Sequence, residues 1–281
     1  MSIIIGFISA SISILGWGSY LVPMKRIREY DPCYFQALMC IAIFASSVII
    51  AFLYNSYVFS YLGILSGILW SLGNILSVQA VKNSGLSRSA PIWMGIGIFI
   101  SFIWGILFFK ETLASIIIGL TGIFLLIVGI SLVASTGEDK KFSNPKGIFF
   151  AIIAGFIFGC YLVPFKLSKL QPIDFLFPMS LGILIGGLAI YFVKREKIDK
   201  CMILPGAFSG LIWNIANFTS FFAVTNLGIS IGFPLTQMAL FVSVLWGLLY
   251  FHEIKSRNKV IRLVAGAVVL FTGAILLGLS I

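Results

Sequence analysis

Charged residues in this chain stand in short clusters, and between the clusters run eight uncharged stretches, at 1–24, 32–81, 89–109, 112–137, 147–165, 175–193, 201–251 and 263–281. A spanning helix needs about 20 apolar residues, and a charge at its centre costs about 2.5–3.5 kcal/mol, so runs this long and this free of charge read as membrane spans. Six of them hold one helix each. The stretches 32–81 and 201–251 are long enough for two, turning near residues 55–57 and 226–228, where no charge marks the bend. The pattern predicts an all-α membrane protein of ten transmembrane helices. Composition agrees: of 281 residues, 60% are hydrophobic and 10% charged, against about 25% charged in soluble proteins, and the mean hydropathy is +1.11. A soluble domain, a disordered chain and a disulfide framework are excluded, and ten spans leave no room for an ATP-hydrolysing domain.

The net charge is +10, and in a membrane protein the useful question is which side carries it. Lys25, Arg26 and Arg28 follow the first span, Lys82 and Arg88 flank the turn after the third, and Lys140, Lys141 and Lys146 follow the fifth. Lys194, Arg195, Lys197 and Lys200 follow the seventh, and Lys255, Arg257, Lys259 and Arg262 the ninth. Lys110, Lys166 and Lys169 stand at the opposite ends of the spans. The positive-inside rule puts the larger set in the cytoplasm and both termini outside; the chain is expected in the plasma membrane as a multi-pass protein. No basic segment precedes the first apolar run, so the first span is expected to be retained. Cys33, Cys40, Cys160 and Cys201 have neither metal-ligand nor redox spacing, and no metal, cofactor or nucleic-acid partner is expected.

Laid on itself, the chain repeats. GWGSYLVPMK at 16–25 matches IFGCYLVPFK at 157–166 in six of ten positions, and residues 66–91 match 209–234 in eleven of twenty-six. WGILFFKE at 104–111 matches WGLLYFHE at 246–253. The three matches are collinear and define a first five-helix repeat at 1–136, a cytoplasmic linker at 137–146 and a second five-helix repeat at 147–281. Because five is odd, the second repeat enters the membrane from the opposite side. Inverted repeats offer two conformations of similar energy, each open to one side, which is the physical basis of alternating access around a midplane site.

Within the third span Trp70, Asn74 and Ser77 share one helical face, and Trp213, Asn217 and Ser220 repeat the set in the eighth, with Asn214 as an extra amide. An amide in hydrocarbon must find partners, so these faces point at other helices, as interhelical glue, or at a polar cavity. Trp beside Asn suits a neutral polyol, the indole covering a C–H face and the amide serving hydroxyls as donor and acceptor. Trp93 and Gln237 follow the matched prolines Pro91 and Pro234 where the two halves diverge, and are candidates to grip different parts of one asymmetric ligand. Tyr20 and Tyr161 stand one turn before Lys25 and Lys166 in the YLVP-x-K element. These lysines either snorkel to the interface or gate the two mouths in alternation. Glu111 and Glu253 read as caps at the start of the following helix. No span centre carries Asp, Glu, Lys, Arg or His, which favours neutral cargo and argues against an intramembrane enzyme. The pairs Gly63 and Gly67, Gly155 and Gly159, and Gly182 and Gly186 predict close helix packing, chiefly inside one bundle.

The inverted five-plus-five arrangement, WGSYLVPMK at 17–25, GILSGILWSLGN at 63–74, GLSRSAPIWMG at 85–95 and the Glu after the fourth and ninth spans resemble the drug/metabolite transporter superfamily, in particular its glucose/ribose porter branch of sugar-transporter-like proteins. The resemblance implies a cavity formed by spans 1, 3, 4, 6, 8 and 9, with 5 and 10 peripheral. At Ala216 the second half departs from the pattern, where the first has Gly73. The expected function is secondary transport of a sugar or similar small neutral polar metabolite, by a monomer or homodimer in the lipid bilayer. The competing expectations are an exporter of amino acids or amphipathic metabolites and, from another class, a lipid scramblase.

Overall fold

The computed structural model describes residues 2–23, 27, 31–84, 86–136, 144–194, 200–252 and 256–280, and among these there is no strand. Helices run α1 Ser2–Ser19, α2 Pro32–Leu53, α3 Tyr61–Ser84, α4 Leu86–Ile103 with a π-helical end at Trp104–Phe108, and α5 Ile116–Ala134. After the interrepeat segment come α6 Pro145–Cys160, α7 Val163–Ser168, α8 Pro172–Lys194, α9 Ile203–Leu227, α10 Ile229–Thr236, α11 Ala239–Leu249 and α12 Arg257–Leu279. Eight segments are long and apolar enough to cross a membrane, with α6 and α7 forming one and α10 and α11 another; Ile3–Ser19 and Ile92–Phe108 are shorter apolar helices. The chain is an all-helical integral membrane protein. Its outer faces are apolar, with Ile4, Ile117, Val193 and Ile275 mostly exposed, as a lipid-facing surface requires.

Helix starts follow local chemistry. Asp31 accepts from Tyr34 N–H at 2.7 Å and Asn144 from Lys146 N–H at 3.0 Å, each with proline as the next residue. Proline there loses nothing, since first-turn N–H groups have no partner within the helix. Of the expected linker, 137–143 lie outside the described residues, and α6 already begins at Pro145.

Glycine lets the helices close on one another. A methyl group on Gly63 would stand 2.7 Å from Pro178 of α8, and one on Gly159 would stand 2.5 Å from Ile100 of α4, so these faces are buried within the bundle. The contacts recur at the spacing of the sequence repeat. Gly6 meets Leu227 and Gly147 meets Ser84; Gly16 meets Ala216 and Gly73 meets Ile157. Gly122 faces Gly273 and Gly129 faces Gly266, and Ala114 N–H donates to Ser280 O at 2.7 Å, so α5 and α12 run antiparallel and pack on each other.

Candidate functional site

A cavity of about 170 Å³ opens between α1, α3, α4, α6, α9 and the α10–α11 pair. It is smaller than the roughly 300–1,000 Å³ of pockets for drug-sized ligands, and suits a small solute. The contributing helices correspond to spans 1, 3, 4, 6, 8 and 9. A larger cavity, about 410 Å³ between α11 and α12, is lined by apolar side chains except Thr272 and lies between the last two spans. It offers little to orient a polar cargo.

Three indoles form one wall. Trp70 and Trp213 have ring centroids 4.2 Å apart, and Trp17 stacks on Trp213 at 6.4 Å. Because Trp70 and Trp213 come from matched positions in α3 and α9, the repeat brings the same side chain to one place from two directions. Asn74, one turn beyond Trp70, lines the cavity and donates through Nδ2 to Gln36 Oε1 at 3.1 Å; Gln36 in turn donates to Ser71 O at 3.3 Å. This relay fixes the amide, and among the described residues its Oδ1 has no protein partner, so the side chain offers an acceptor to a solute hydroxyl. Gln237 stands in the break between α10 and α11, where Nε2 donates to Thr236 Oγ1 at 3.3 Å. Trp93, Tyr20 and Tyr161 complete the candidates that reach the cavity, the tyrosines each in the turn that ends α1 or α6.

Two expected residues are elsewhere. Asn214 is 2% exposed and ties α9 to α2, donating to Ser46 Oγ at 2.8 Å, Ser47 Oγ at 3.0 Å and Ile43 O at 3.4 Å. Asn217 is 1% exposed; its Nδ2 lies 3.5 Å from Met179 Sδ and its Oδ1 has no partner. Both are absent from the cavity wall because α9 turns their face toward α2 and α8. Lys25 lies outside the described residues. Lys166 pairs with Glu111, and its Nζ lies 4.8 Å from the Phe109 ring centroid. Glu111 does not cap α5, as its position suggested: Ser115 does, accepting from Ile118 N–H at 3.4 Å, and Glu111 reaches α10 instead.

Trp17 and Phe158 line the cavity without having been candidates. The available signal was their matched place in the repeat, an aromatic ring one turn before each tyrosine. Beyond the indoles, Phe165, Phe175 and Phe221 close the bundle, with centroids 4.6–5.5 Å apart and all nearly fully buried. The cavity therefore occupies the half of the bundle that holds the C-terminal ends of α1 and α3, and the opposite half is shut.

The sequence profile of the family described as Sugar transport protein matches residues 8–280. Glucose uptake protein GlcU of Bacillus subtilis (strain 168) is 28% identical over 225 residues, 78% of each chain. A Bacillus anthracis relative named provisionally as a sugar uptake protein is 25% identical over 286 residues, 98% of this chain and 99% of its own. A crystal structure of a protein with 14% sequence identity covers 98% of this chain and 95% of that one with a TM-score of 0.79, a likeness of fold. A profile match that begins in the first helix and ends beyond the last leaves no helix outside it, and the chain belongs to the sugar transport protein family.

Proposed function

We propose that this chain carries a sugar, or a similar small neutral polyol, across the plasma membrane by alternating access between two inverted five-helix repeats. The observation that carries the reading is the cavity itself: stacked indoles beside a fixed amide, with no Asp, Glu, Lys, Arg or His among the described residues of its wall. Indoles cover C–H faces and amides answer hydroxyls, whereas a charged cargo would call for a countercharge. Ten spans, with the two short apolar helices counted as spans, fit this reading. So do the antiparallel α5 and α12 and the paired contacts of Gly6 with Leu227 and Gly147 with Ser84, which a two-fold relation between the halves exchanges.

With the basic clusters inside, both termini are outside and the cavity opens toward the cytoplasm, making the conformation inward-facing. A single cysteine placed between residues 137 and 143 of a Cys-free variant should resist an impermeant thiol reagent in intact cells, and ready labelling would reverse the orientation. The transport reading is tested by uptake of radiolabelled sugars and amino acids into proteoliposomes. Saturable uptake of a sugar such as D-glucose is expected. If no solute moves above protein-free vesicles while a fluorescent phospholipid flips, the protein is a scramblase.

A further inference from the structure

At the shut end of the bundle, one carboxylate joins three elements. Glu111, in the loop after α4, accepts from Ile229 N–H at 2.9 Å through Oε1, and from Ser230 N–H at 3.0 Å and Ser230 Oγ at 2.5 Å through Oε2. The same carboxylate pairs with Lys166 of α7. Two glycines make room for it, since a methyl group on either Gly105 or Gly228 would stand 2.6 Å from Oε2. Gly228 also carries φ 80°, a backbone that suits glycine and lets α10 begin with its first N–H groups turned to the acid. Free N–H groups and the positive end of α10 both favour an anion there. Phe165, next to Lys166, belongs to the aromatic block that closes this end.

A helix cap needs only an acceptor; it does not need a lysine from a third element. Moreover, the parts recur as a set in the sequence. Glu111, Lys166, Ser230, Gly105, Gly228 and Phe109 align with Glu253, Lys25, Ser87, Gly247, Gly85 and Phe251, residue type for residue type. Parts drawn from three separate segments, all kept by the repeat, belong to the common plan of the two halves and not to the local needs of one loop.

We infer that Glu111 is the positioning residue that latches the mouth opposite the cavity, holding the start of α10 and Lys166 together in the conformation shown and releasing both when that mouth opens. The inference rests on the alternating-access reading and deepens it. When the latch lets go, α7 and α10 part, the aromatic block loosens, and the buried face of α9 that carries Asn217 and Ser220 gains access to water. The cavity face carrying Ser77 closes in exchange.

The test uses purified full-length Cys-free protein with a single cysteine at one of two places, Ser77→Cys in the cavity wall or Ser220→Cys in the shut half. Labelling rates with a water-soluble thiol reagent are measured with and without Glu111→Gln, a near-isosteric change that keeps an acceptor but removes the charge. Loss of charge-assisted bonds corresponds to about a tenfold shift or more between the two conformations. Ser220→Cys should therefore label about tenfold faster and Ser77→Cys more slowly. Lys166→Met should move both rates in the same directions. A rise at both positions with a lowered melting temperature means that Glu111 merely braces the fold and overturns the inference, as does no change at either. A separate arm adds D-glucose to protein with Glu111 intact. If sugar leaves both rates unmoved while Glu111→Gln shifts them oppositely, the latch stands and the glucose reading fails; if sugar shifts them and Glu111→Gln does not, the latch alone fails.

Discussion

Asn74 and Asn217 hold the same place in the two halves of the chain, each one turn after a tryptophan and three residues before a serine, yet the structure treats them differently. Asn74 stands at the cavity wall with its amide anchored by Gln36. Asn217 is sealed among α8 and α9, its oxygen without a partner and its amide against the sulfur of Met179. The prolines Pro32 and Pro172 and the methionines Met39 and Met179 put the two anchoring helices in register, and in that register Gln36 faces Leu176. A buried acceptor with no partner costs about 1–3 kcal/mol. Under the proposed alternating access, one set of parts serves in two states: the half that is open anchors its amide and shows it to solute, while the half that is shut carries an unsatisfied group that opening would relieve.

The largest effect expected from this difference falls on binding. Asn74→Ala should weaken the affinity for D-glucose by about 1–3 kcal/mol, roughly fivefold to more than a hundredfold, through loss of a hydrogen bond to a desolvated hydroxyl. Asn217→Ala should leave that affinity unchanged, because the side chain does not reach the cavity. Isothermal titration on the two purified variants compares them directly. Equal losses at both positions would mean that both amides touch cargo in one conformation, and the distinction between the halves would disappear.

A second contrast lies within α9. Asn214, one residue after Trp213, makes three hydrogen bonds to α2 and none to the cavity. Polar contacts between membrane helices contribute about 0.6 kcal/mol on average and up to about 1.7. In a chain of about this size each kcal/mol moves the melting temperature by about 2–4 °C. Asn214→Ala should thus lower the melting temperature by a few degrees and leave glucose affinity alone. Weaker binding at an unchanged melting temperature would return Asn214 to the cavity wall.

These contrasts also mark what the sequence could reveal. Spans were legible because a charge in hydrocarbon is costly enough to leave a visible gap in the pattern, and Trp70, Asn74 and Trp213 were legible because a repeated polar face inside a span needs a reason. The choice between cavity and glue was not legible. Asn214 bonds to Ser46 and Ser47, about 170 residues away, and nothing local to α9 announces that partner. The same holds for Glu111, whose position before α5 suggested a local cap while its partners lie 118 and 119 residues on, in α10. Of the breaks inside the sixth and ninth spans, at Tyr161–Leu162 and Gln237–Met238, the first is announced by Pro164, while no charge marks the second, which comes three residues after Pro234. Trp17 escaped notice since an aromatic ring in a span usually faces lipid or core, and here it needed Trp213 from the other half to become a wall.

The smallest effect probes the anchor itself. Gln36→Leu gives the first half the residue that the second half has at Leu176, with little change in side-chain size. Ser71 O keeps its helical backbone bond, and the fold loses the two hydrogen bonds that Gln36 makes to α3, about 1 kcal/mol at the roughly 0.6 kcal/mol average of an interhelical bond. Asn74 would keep its place but lose the contact that fixes its rotamer, and ordering a free side chain costs about 0.5–1.5 kcal/mol on binding. Glucose affinity should consequently fall severalfold, less than for Asn74→Ala, with the melting temperature lowered by only a few degrees. The double variant should bind no more weakly than Asn74→Ala alone, because Gln36 acts only through the amide it holds. Additive losses in that double-mutant cycle would show that Gln36 touches the sugar in its own right, and the anchor would become part of the site.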